Sequence, residues 1–272
     1  MKDKKNFDFS PALYDMQVNW PARFEKERGF FEKIISERSV NKILDVGCGT
    51  GRHVQLFSEI VNSLKTGQRV KKAESEKSGS MIVGIDPAAE TIEYAKKSVV
   101  TSPDVKLIVG GFENIDSLVA GQFDLITCLG NTLALLENRR RVKMALKAVR
   151  RKLVSGGLAI FQFLNFEPKI IEKERYYSPK TFAKDEFKYI TLKHFQFGKI
   201  KTMADFIKIK IAPSGSIEDF QVSTSFMCTL RKSLFLKMAK NAGFKKIELF
   251  SPGGQENFDK NRHVSLNALL YN

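Results

Sequence analysis

A short glycine-rich turn holds the residues of this chain that are best suited to approach a ligand. Residues 43–46 form a mostly apolar run, Gly47, Gly49 and Gly51 follow it, and apolar residues resume at helical spacing over 54–61. Glycine has no Cβ, so the backbone of such a turn can come close to a bound molecule. A strand, a glycine turn and a helix in this order predict a site at the carboxyl end of a strand, where open α/β sheets bind nucleotide-like ligands.

The spacing of these glycines differs from that of two common phosphate-binding loops. A dinucleotide fingerprint requires GxGxxG, whereas here GxGxG is followed by Arg52. A Walker loop requires GxxxxGK followed by Ser or Thr, and the chain has no such run. The turn is therefore a poor match to either phosphate site, and a third class of ligand has to be considered.

An acidic residue ends the second apolar run, where a ribose-binding site would need one. Residues 81–85 predict this strand, and Asp86 closes it just before Pro87. A carboxylate can accept hydrogen bonds from both ribose hydroxyls at once. Such an acid usually follows the glycines by about 20 residues. Here it lies 35 residues beyond Gly51, and the polar stretch 62–80 accounts for the excess. Taken alone, Asp86 could also be an ordinary turn residue.

These two motifs resemble those of class I S-adenosylmethionine-dependent methyltransferases. Residues 44–51, Leu-Asp-Val-Gly-Cys-Gly-Thr-Gly, look like the glycine-rich first motif of that family, and residues 83–86, Val-Gly-Ile-Asp, look like its second motif. The resemblance implies S-adenosylmethionine as the cofactor. It also implies that Asp45 and the three glycines contact the cofactor, and that Asp86 binds its ribose.

A third match is to the glycine and sarcosine N-methyltransferases. Residues 128–132, Cys-Leu-Gly-Asn-Thr, follow the predicted fourth strand and are similar to the Leu-Gly-Asn-Ser element of those enzymes. The resemblance covers residues 10–170 and weakens afterwards. It implies that Leu129 contacts the cofactor and that Asn131 contacts the substrate. Asn131 could also cap the following helix, and the two roles are compatible.

The same resemblance assigns roles to residues outside the glycine turn. Arg23, 22 residues before Asp45, stands where those enzymes have an arginine that holds the cofactor carboxylate, although it could also be a surface arginine on an amphipathic helix. Tyr14 matches a substrate-site tyrosine if a short gap is allowed. Gly111 and Phe112 fall where the family places an amide or acid and an aromatic ring against adenine, but Gly111 can offer only backbone groups.

One departure from the family bears on the substrate. After the fifth strand those enzymes carry an arginine that grips the substrate carboxylate, and this chain has Leu164 there. Glycine itself is therefore a poor candidate for the acceptor. Asn165 could orient another substrate or could hydrogen-bond the backbone at the strand end. Of the three histidines only His53 lies beside a motif, and a structural role suits it better, so the sequence identifies no general base.

The elements that would position these residues alternate between strand and helix. This alternation predicts a doubly wound α/β fold. With two closing strands it gives a seven-stranded, mostly parallel sheet, as in class I methyltransferases. A single helix is predicted over 132–153. The predicted strands lie at 43–46, 81–85, 105–109, 123–128, 158–164, 244–250 and 264–271.

Three segments are predicted as additions to a single domain over 1–272. Residues 1–40 would form a helical cap, and residues 62–80 a flexible basic loop, because they are polar, charged and contain glycine. Residues 187–230 alternate like strands and predict an antiparallel insertion of about three strands that acts as a lid.

Composition limits the partners. The formal charge is +15, from 45 basic and 30 acidic residues, yet lysines are interleaved with acids along the whole chain. A solvated surface explains this, although the basic clusters at 65–77 and 139–152 keep RNA as an alternative partner. Three widely spaced cysteines without a CxxC pair are typical of a reduced, cytoplasmic protein that binds no metal. No apolar run approaches the roughly 20 residues that span a membrane. The sequence does not predict the oligomeric state.

The function predicted from these observations is methyl transfer from S-adenosylmethionine to a small-molecule acceptor by in-line displacement. Nitrogen is the preferred acceptor atom and oxygen the next. Asn131 and Tyr14 are the residues expected to position the substrate. The alternatives are methylation of RNA and a non-catalytic cofactor-binding module. Strand four ends in Leu-Gly-Asn-Thr rather than in the Asn/Asp-Pro-Pro-Tyr element of enzymes that methylate base amino groups, which weighs against RNA.

Overall fold

Two sheets organise the chain in the computed structural model, which describes residues 10–69, 80–98, 104–168 and 175–272. The first sheet has seven strands and the second has four. The seven are β1 (Lys42–Val46), β2 (Met81–Asp86), β3 (Val105–Val109), β4 (Phe123–Cys128), β5 (Leu153–Leu164), β10 (Lys246–Phe250) and β11 (Ser265–Tyr271). The four of the second sheet are β6 (Tyr176–Lys184), β7 (Phe187–Phe197), β8 (Lys201–Ile211) and β9 (Ile217–Cys228).

The strand order of the first sheet creates a binding crevice. The order is β10-β11-β5-β4-β1-β2-β3, in which β1 to β5 run parallel and β11 is antiparallel to both of its neighbours. The order reverses between β1 and β4. Ligands of open α/β sheets bind at the carboxyl ends of the strands at such a switch point. The predicted fold, a doubly wound and mostly parallel seven-stranded sheet, is confirmed.

Helices cover both faces of this sheet, and their ends are marked by the sequence. Ser10, Asn19 and Asn138 each accept a hydrogen bond from the backbone N–H three residues on, which caps a helix start. The helices are α1 (Pro11–Gln17), α2 (Trp20–Glu37), α3 (Arg52–Arg69), α4 (Ala89–Ser98), α5 (Ile115–Leu118), a 3₁₀ helix (Thr132–Leu136), α6 (Arg139–Lys152) and α7 (Lys232–Asn241).

The core follows from the alternation of side chains along the strands. Neighbouring residues of β1 point to opposite faces: Ile43 packs with α2 and α3, whereas Leu44 packs with α6 and α7. Both are fully buried. Because apolar residues occupy both faces of β1, helices must cover the sheet on both sides. The glycine turn after β1 is therefore held by packing on both faces.

The second sheet is larger than the sequence predicted. Three strands from residue 187 were expected, but the sheet begins at Tyr176 and has four. The missed strand, β6, contains Pro179, which lies at a register shift between Tyr177 and Lys180. Proline is tolerated there because β6 is an edge strand. An exposed, lysine-bearing edge strand with a proline lacks the alternation that marks a strand in sequence.

Two other predicted boundaries were wrong. The single helix over 132–153 is broken at Glu137, whose φ of 63° is left-handed, and Asn138 then caps a new helix. In the predicted loop over 62–80, helix α3 continues to Arg69 instead, and residues 70–79 lie outside the described part of the chain.

The predicted cap over 1–40 contains α1 and α2, and residues 1–9 lie outside the described part. The division of the chain into domains stays a prediction.

Candidate active site

The glycine turn follows β1 at the switch point, as predicted. The backbone N–H groups of Gly47 and Cys48 donate to the carbonyl of Ile85 at 2.7 and 3.0 Å, which ties the turn to β2. A Cβ on Gly47 would lie 2.2 Å from Cγ2 of Thr132, so this glycine is required by packing. A Cβ on Gly49 would meet nothing within 4 Å. The backbone at Gly49 therefore borders open space among the described residues, where a ligand could approach it.

Asp86 lies beside this turn, at the end of β2. Its Oδ2 accepts from the N–H of Gly49 at 3.1 Å, and its Oδ1 accepts from the N–H of Ala88 at 2.9 Å. Burial raises the pKa of Asp86, and the two backbone hydrogen bonds oppose that rise. Each carboxylate oxygen retains acceptor capacity for a further donor. The structure thus brings the predicted ribose-binding acid to the predicted turn.

Asp45 lies inside the sheet rather than on the open side of the turn. It is 2% exposed, and its Oδ1 accepts from Oγ1 of Thr127 on the neighbouring β4 at 2.7 Å. Burial raises the pKa of its carboxyl group. This hydrogen bond joins β1 to β4 within the sheet, next to the switch point. Direct contact of Asp45 with a cofactor stays a prediction.

Asp15, on α1, is a site residue that the sequence did not indicate. It is 7% exposed and accepts hydrogen bonds from four groups: Oγ1 of Thr50 at 2.6 Å, Nε of Arg52 at 2.8 Å, Nε1 of Trp20 at 3.2 Å and the Tyr94 hydroxyl at 3.5 Å. Two of these donors flank Gly51 in the glycine motif. The carboxylate therefore holds α1 against the turn. No periodic pattern surrounds Asp15 in the sequence, so nothing distinguished it from a surface acid.

Arg23 stands in a hydrogen-bond network that joins α2 to the ends of β4 and β5. Its Nε lies 3.1 Å from both carboxylate oxygens of Glu27, and its Nη2 donates to Oε1 of Gln162 at 2.8 Å. Gln162 also accepts from the N–H of Gly130 at 3.2 Å and donates to Oδ1 of Asn267 at 3.1 Å. The Arg23 side chain is 21% exposed, and its Nη1 donates to no residue that the structure describes.

Glu27 extends the network to the glycine motif through His53. Nε2 of His53 lies 2.9 Å from Oε2 of Glu27, and both side chains are buried. Burial alone would raise the pKa of Glu27. The hydrogen bond and charge of His53, with contributions from Arg23 and Gln162, outweigh burial and lower that pKa. His53 also contacts the Trp20 ring edge-on, and a structural role for it stays a prediction.

Tyr14 stands at the open side of α1, 40% exposed. Displacement of water by the surrounding protein raises the pKa of its phenol, the Arg23 charge opposes this rise, and the carboxylates of Asp15 and Asp86 add to it. The charges of Arg23 and Asp86 thus both act on the Tyr14 phenol. The three were predicted from separate parts of the sequence.

Asn131 links three strands at the far side of the crevice. Its backbone is left-handed, with a φ of 73°, and its side chain makes no cap hydrogen bond to the helix that follows. The alternative role as a helix cap is therefore wrong. Instead its Oδ1 accepts from the N–H of Leu164 at 3.1 Å, and its Nδ2 lies 3.8 Å from Sδ of Met227 on β9. Asn131 thus brings the second sheet to the end of β4.

The remaining predicted site residues lie at the carboxyl ends of β3 and β4. Leu129 is buried, and its carbonyl accepts from Oγ1 of Thr132 at 2.8 Å. The N–H of Gly111 donates to Oδ1 of Asn114 at 2.8 Å. The ring of Phe112 is 7% exposed and packs in the core. A contact of these residues with a cofactor stays a prediction.

The side chain of Asn165 hydrogen-bonds to backbone groups near the end of β5. Its Nδ2 donates to the carbonyls of Lys260 and His263 at 2.7 and 2.8 Å, and its Oδ1 accepts from the N–H of Glu167 at 3.3 Å. Of the two roles considered for Asn165, satisfaction of strand-end backbone is the one confirmed. This asparagine ties the end of β5 to the loop before β11.

The described residues include neither a metal-binding cluster nor a membrane-spanning helix. There, no three His, Cys, Asp or Glu side chains form a group that could hold a metal ion. Cys48, Cys128 and Cys228 are free and buried. None of the described helices is long and apolar enough to cross a membrane.

The sequence of the chain is similar to a methyltransferase family and to several known methyltransferases. A family model described as a methyltransferase domain matches residues 43–157. The chain is 24% identical over 156 residues to a glycine/sarcosine N-methyltransferase of Parasynechococcus marenigrum, covering 57% of this chain and 49% of that protein. It is 28% identical over 130 residues to a dTDP-4-amino-2,3,4,6-tetradeoxy-D-glucose N,N-dimethyltransferase of Saccharopolyspora spinosa, covering 48% and 43%. The chain thus spans about half the length of these curated relatives.

Solved structures resemble the whole fold. An S-adenosylmethionine-dependent methyltransferase from Clostridium acetobutylicum has a TM-score of 0.67 at 16% identity, covering 96% of this chain and 94% of its own. CalS10, an amino pentose methyltransferase from Micromonospora echinaspora solved with S-adenosylmethionine, has a TM-score of 0.69 at 16% identity, covering 98% and 99%. At this level of identity the likeness establishes the fold, including the second sheet.

Proposed function

Because the chain carries a class I S-adenosylmethionine-dependent methyltransferase domain, we propose that it transfers a methyl group from S-adenosylmethionine to an amine nitrogen of a small-molecule acceptor. The observation that carries the proposal is the convergence of three groups at one edge of the sheet. These are the open backbone at Gly49, the carboxylate of Asp86 and the Nη1 of Arg23, which donates to no described residue.

Each of these groups suits one part of the cofactor. The Asp86 carboxylate has acceptor capacity for the ribose hydroxyls, because its present partners are two backbone N–H groups. Nη1 of Arg23 can donate to the cofactor carboxylate, since Glu27 and Gln162 occupy the other side of the guanidinium and fix its plane. The open space at Gly49 admits the cofactor's amino-acid part. When bound, the cofactor supplies an electrophilic methyl carbon on its sulfonium.

The protein's task in such a transfer is to orient the acceptor. A nucleophile must be held about 3 Å from the methyl carbon and in line with the leaving sulfur. Tyr14 and Asn131 border the crevice from opposite sides, one on α1 and the other after β4. A neutral amine already has the lone pair that attacks, so no general base is needed for it. The N-methylating relatives support nitrogen over oxygen as the acceptor atom.

The cofactor assignment is tested by calorimetry with S-adenosylmethionine. Asp86→Ala removes charged hydrogen-bond acceptors and should weaken binding by about 1.5–3 kcal/mol. Asp124→Ala is the matched control, because Asp124 accepts from the N–H groups of Asn41 and Lys42 at the opposite edge of the sheet. Equal affinities for the Asp86→Ala variant and wild type would remove Asp86 from the site. Undetectable binding by wild type would remove the proposed function.

Methylation of RNA is the second candidate, and a basic groove favours it. Arg140, Lys143 and Lys147 line this groove between α6 and α7. Other charges of α6 are already occupied: Arg151 pairs with Asp116 at 2.6 Å, for example. RNA binding that weakens steeply with added salt would support this candidate. Absence of binding at low salt would remove it.

The third candidate, a non-catalytic cofactor-binding module, has its own signature. It predicts tight S-adenosylmethionine binding together with no formation of S-adenosylhomocysteine over panels of amines, alcohols and RNA. Turnover of any amine in that panel would exclude it. The first observation to make is therefore release of S-adenosylhomocysteine in the presence of mixed amines.

A further inference from the structure

The second sheet presents one face to the crevice, and lysines lie on that face. Residues paired across antiparallel strands share a face of the sheet. Lys180 pairs with Thr191, and Lys193, two positions along β7, pairs with Phe206. Met227 belongs to the same face, because Phe197 pairs with Thr202, which pairs with Met227. This inner face therefore carries Lys180, Lys193 and the methionine that contacts Asn131.

Contacts at its two ends place the inner face across the crevice. At one end Met227 lies 3.8 Å from Nδ2 of Asn131. At the other end Nζ of Lys180 donates to the carbonyl of Gln17, the last residue of α1, at 2.9 Å. Tyr14 is one turn earlier on the same helix. The inner face thus reaches from one proposed substrate-positioning residue to the helix that carries the other.

Apart from Lys184, which pairs with Phe187 at the far end of β7, the lysines of the inner face fall into two pairs that differ in their partners. Lys208 lies 3.6 Å from a carboxylate oxygen of Asp219, and Lys210 lies 2.9 Å from one of Glu218. Within the described residues, by contrast, neither Lys180 nor Lys193 has a carboxylate within salt-bridge distance. Of these four lysines, the two nearest the crevice are the ones without a carboxylate partner in the described part of the chain.

Lys180 and Lys193 are exposed side chains, yet the protein around them and a neighbouring cation lower the pKa of each. Withdrawal from water, with the charge of Lys180, lowers the pKa of Lys193 to about 8. Withdrawal from water, with the charge of Arg23, lowers the pKa of Lys180 as well. Nζ of Lys193 lies 5.2 Å from the centre of the Phe206 ring, which attracts a cation only weakly. Lys180 and Lys193 therefore stand near the crevice without a described carboxylate partner, whereas Arg23 is paired with Glu27.

Resting on the proposed methyl transfer, we propose that Lys180 and Lys193 form an anion subsite that holds a carboxylate or phosphate group of the acceptor. A bound anion would relieve the repulsion between the two ammonium groups, while the acceptor's amine is presented between Asn131 and Tyr14. Related enzymes bind the substrate carboxylate with an arginine after β5, where this chain has Leu164. Here the two lysines of the second sheet would provide the positive charge instead. The acceptor class is then an amine that carries a compact anionic group.

Binding of simple anions tests the subsite without any methyl transfer. The probes are inorganic pyrophosphate and glutarate, titrated by calorimetry at constant ionic strength into the full-length protein. The test variant is Lys180→Met/Lys193→Met, which keeps the aliphatic stems. The control is Lys208→Met/Lys210→Met, which removes the same charge from the same face of the sheet. Wild type and control should bind at least one probe about tenfold more tightly than the test variant.

Each outcome of this titration is decisive for the subsite. Binding of pyrophosphate alone identifies a phosphate acceptor, and binding of glutarate alone identifies a carboxylate. No saturable binding of either probe, or equal affinities for wild type and test variant, overturns the proposal. The Lys193→Arg variant keeps a cation and should retain binding, which guards against loss through misfolding. S-adenosylhomocysteine is titrated separately, and its failure to bind would count against the proposed function alone.

Turnover of paired acceptors supplies a second measurement. β-Alanine and its amide, or phosphoethanolamine and ethanolamine, differ mainly in the anionic group. The anionic member of at least one pair should have a kcat/KM about tenfold higher, and the test variant should lose this preference. A preference for the neutral members in wild type, or its persistence in the test variant, would overturn the subsite while leaving methyl transfer intact.

Discussion

Replacing Glu27 with alanine would test whether the buried network beneath the crevice depends on this carboxylate. Glu27 accepts hydrogen bonds from Arg23, Gln162 and His53. All three would lose this acceptor together, although Arg23 would keep Gln162 and Gln162 would keep Asn267 as acceptors. Breaking a buried pair by removing one partner costs about 3–5 kcal/mol. We expect the lower end, about 3 kcal/mol, because 21% of the Arg23 side chain reaches solvent.

The same helix provides a matched control. Arg28 and Glu32 form a second ion pair with the same four-residue spacing on α2, at 3.6 Å, but both side chains are exposed. An exposed pair of this kind contributes about 0–1 kcal/mol. Glu32→Ala should therefore lower the free energy of unfolding by less than about 1 kcal/mol. Both variants are compared with wild type by urea unfolding at pH 7, and the midpoints are interpreted only if the slope m is unchanged.

Acid titration of the same variants checks the cause. The folded-state pKa of Glu27 lies below its ordinary value of 4.5, so its contribution to stability is present above pH 4.5 and is lost as pH falls through the lowered value. The difference between wild type and Glu27→Ala should shrink over that acid range. A loss at pH 7 no larger than that of Glu32→Ala, or a difference that does not change with pH, would refute the role given to Glu27.

Three further outcomes follow from individual residues. Gly47→Ala should destabilise the protein by at least about 1 kcal/mol more than Gly121→Ala. Both glycines have a positive φ, but only a Cβ on Gly47 would collide with Thr132. Equal unfolding midpoints of the two variants would contradict this. Asn131→Ala should lower kcat while leaving calorimetric S-adenosylmethionine affinity unchanged, and a loss of cofactor affinity would reassign Asn131. The preference for anionic acceptors should fall as pH rises past the Lys193 pKa of about 8, because the ammonium loses its proton, whereas Lys193→Arg should keep the preference to higher pH.

The parts of the site that could be predicted from the sequence depend on local order along the chain. A strand, three glycines and a helix define a turn within a few residues, and Asp86 ends the next strand in the same way. Parallel neighbouring strands then bring both ends to one edge of the sheet. The register of β1 with β2 pairs Val46 with Ile85, so Asp86 had to lie beside the turn.

The parts that could not be predicted depend on side chains that meet across the fold. Arg23 and Gln162 are separated by 139 positions, and Glu27 and Gln162 by 135, yet they share hydrogen bonds. In the sequence, Gln162 is a single polar residue in a mostly apolar strand, and its hydrogen-bond partners cannot be identified there. The same holds for Asp15. Such networks follow from tertiary packing, and no periodicity in a single sequence encodes them.

The origin of the substrate cation illustrates how the second sheet changes the interpretation of the first. Leu164 at the end of β5 argued against glycine as the acceptor, because the family's carboxylate-binding arginine is missing there. The missed edge strand β6 brings Lys180 to α1, and its neighbour β7 brings Lys193 to the same face. The positive charge that the family places after β5 can thus come from lysines of the second sheet. Since a carboxylate or phosphate needs a cation but not a particular strand to carry it, the departure at Leu164 excludes the family's way of binding an anion and leaves anionic acceptors open.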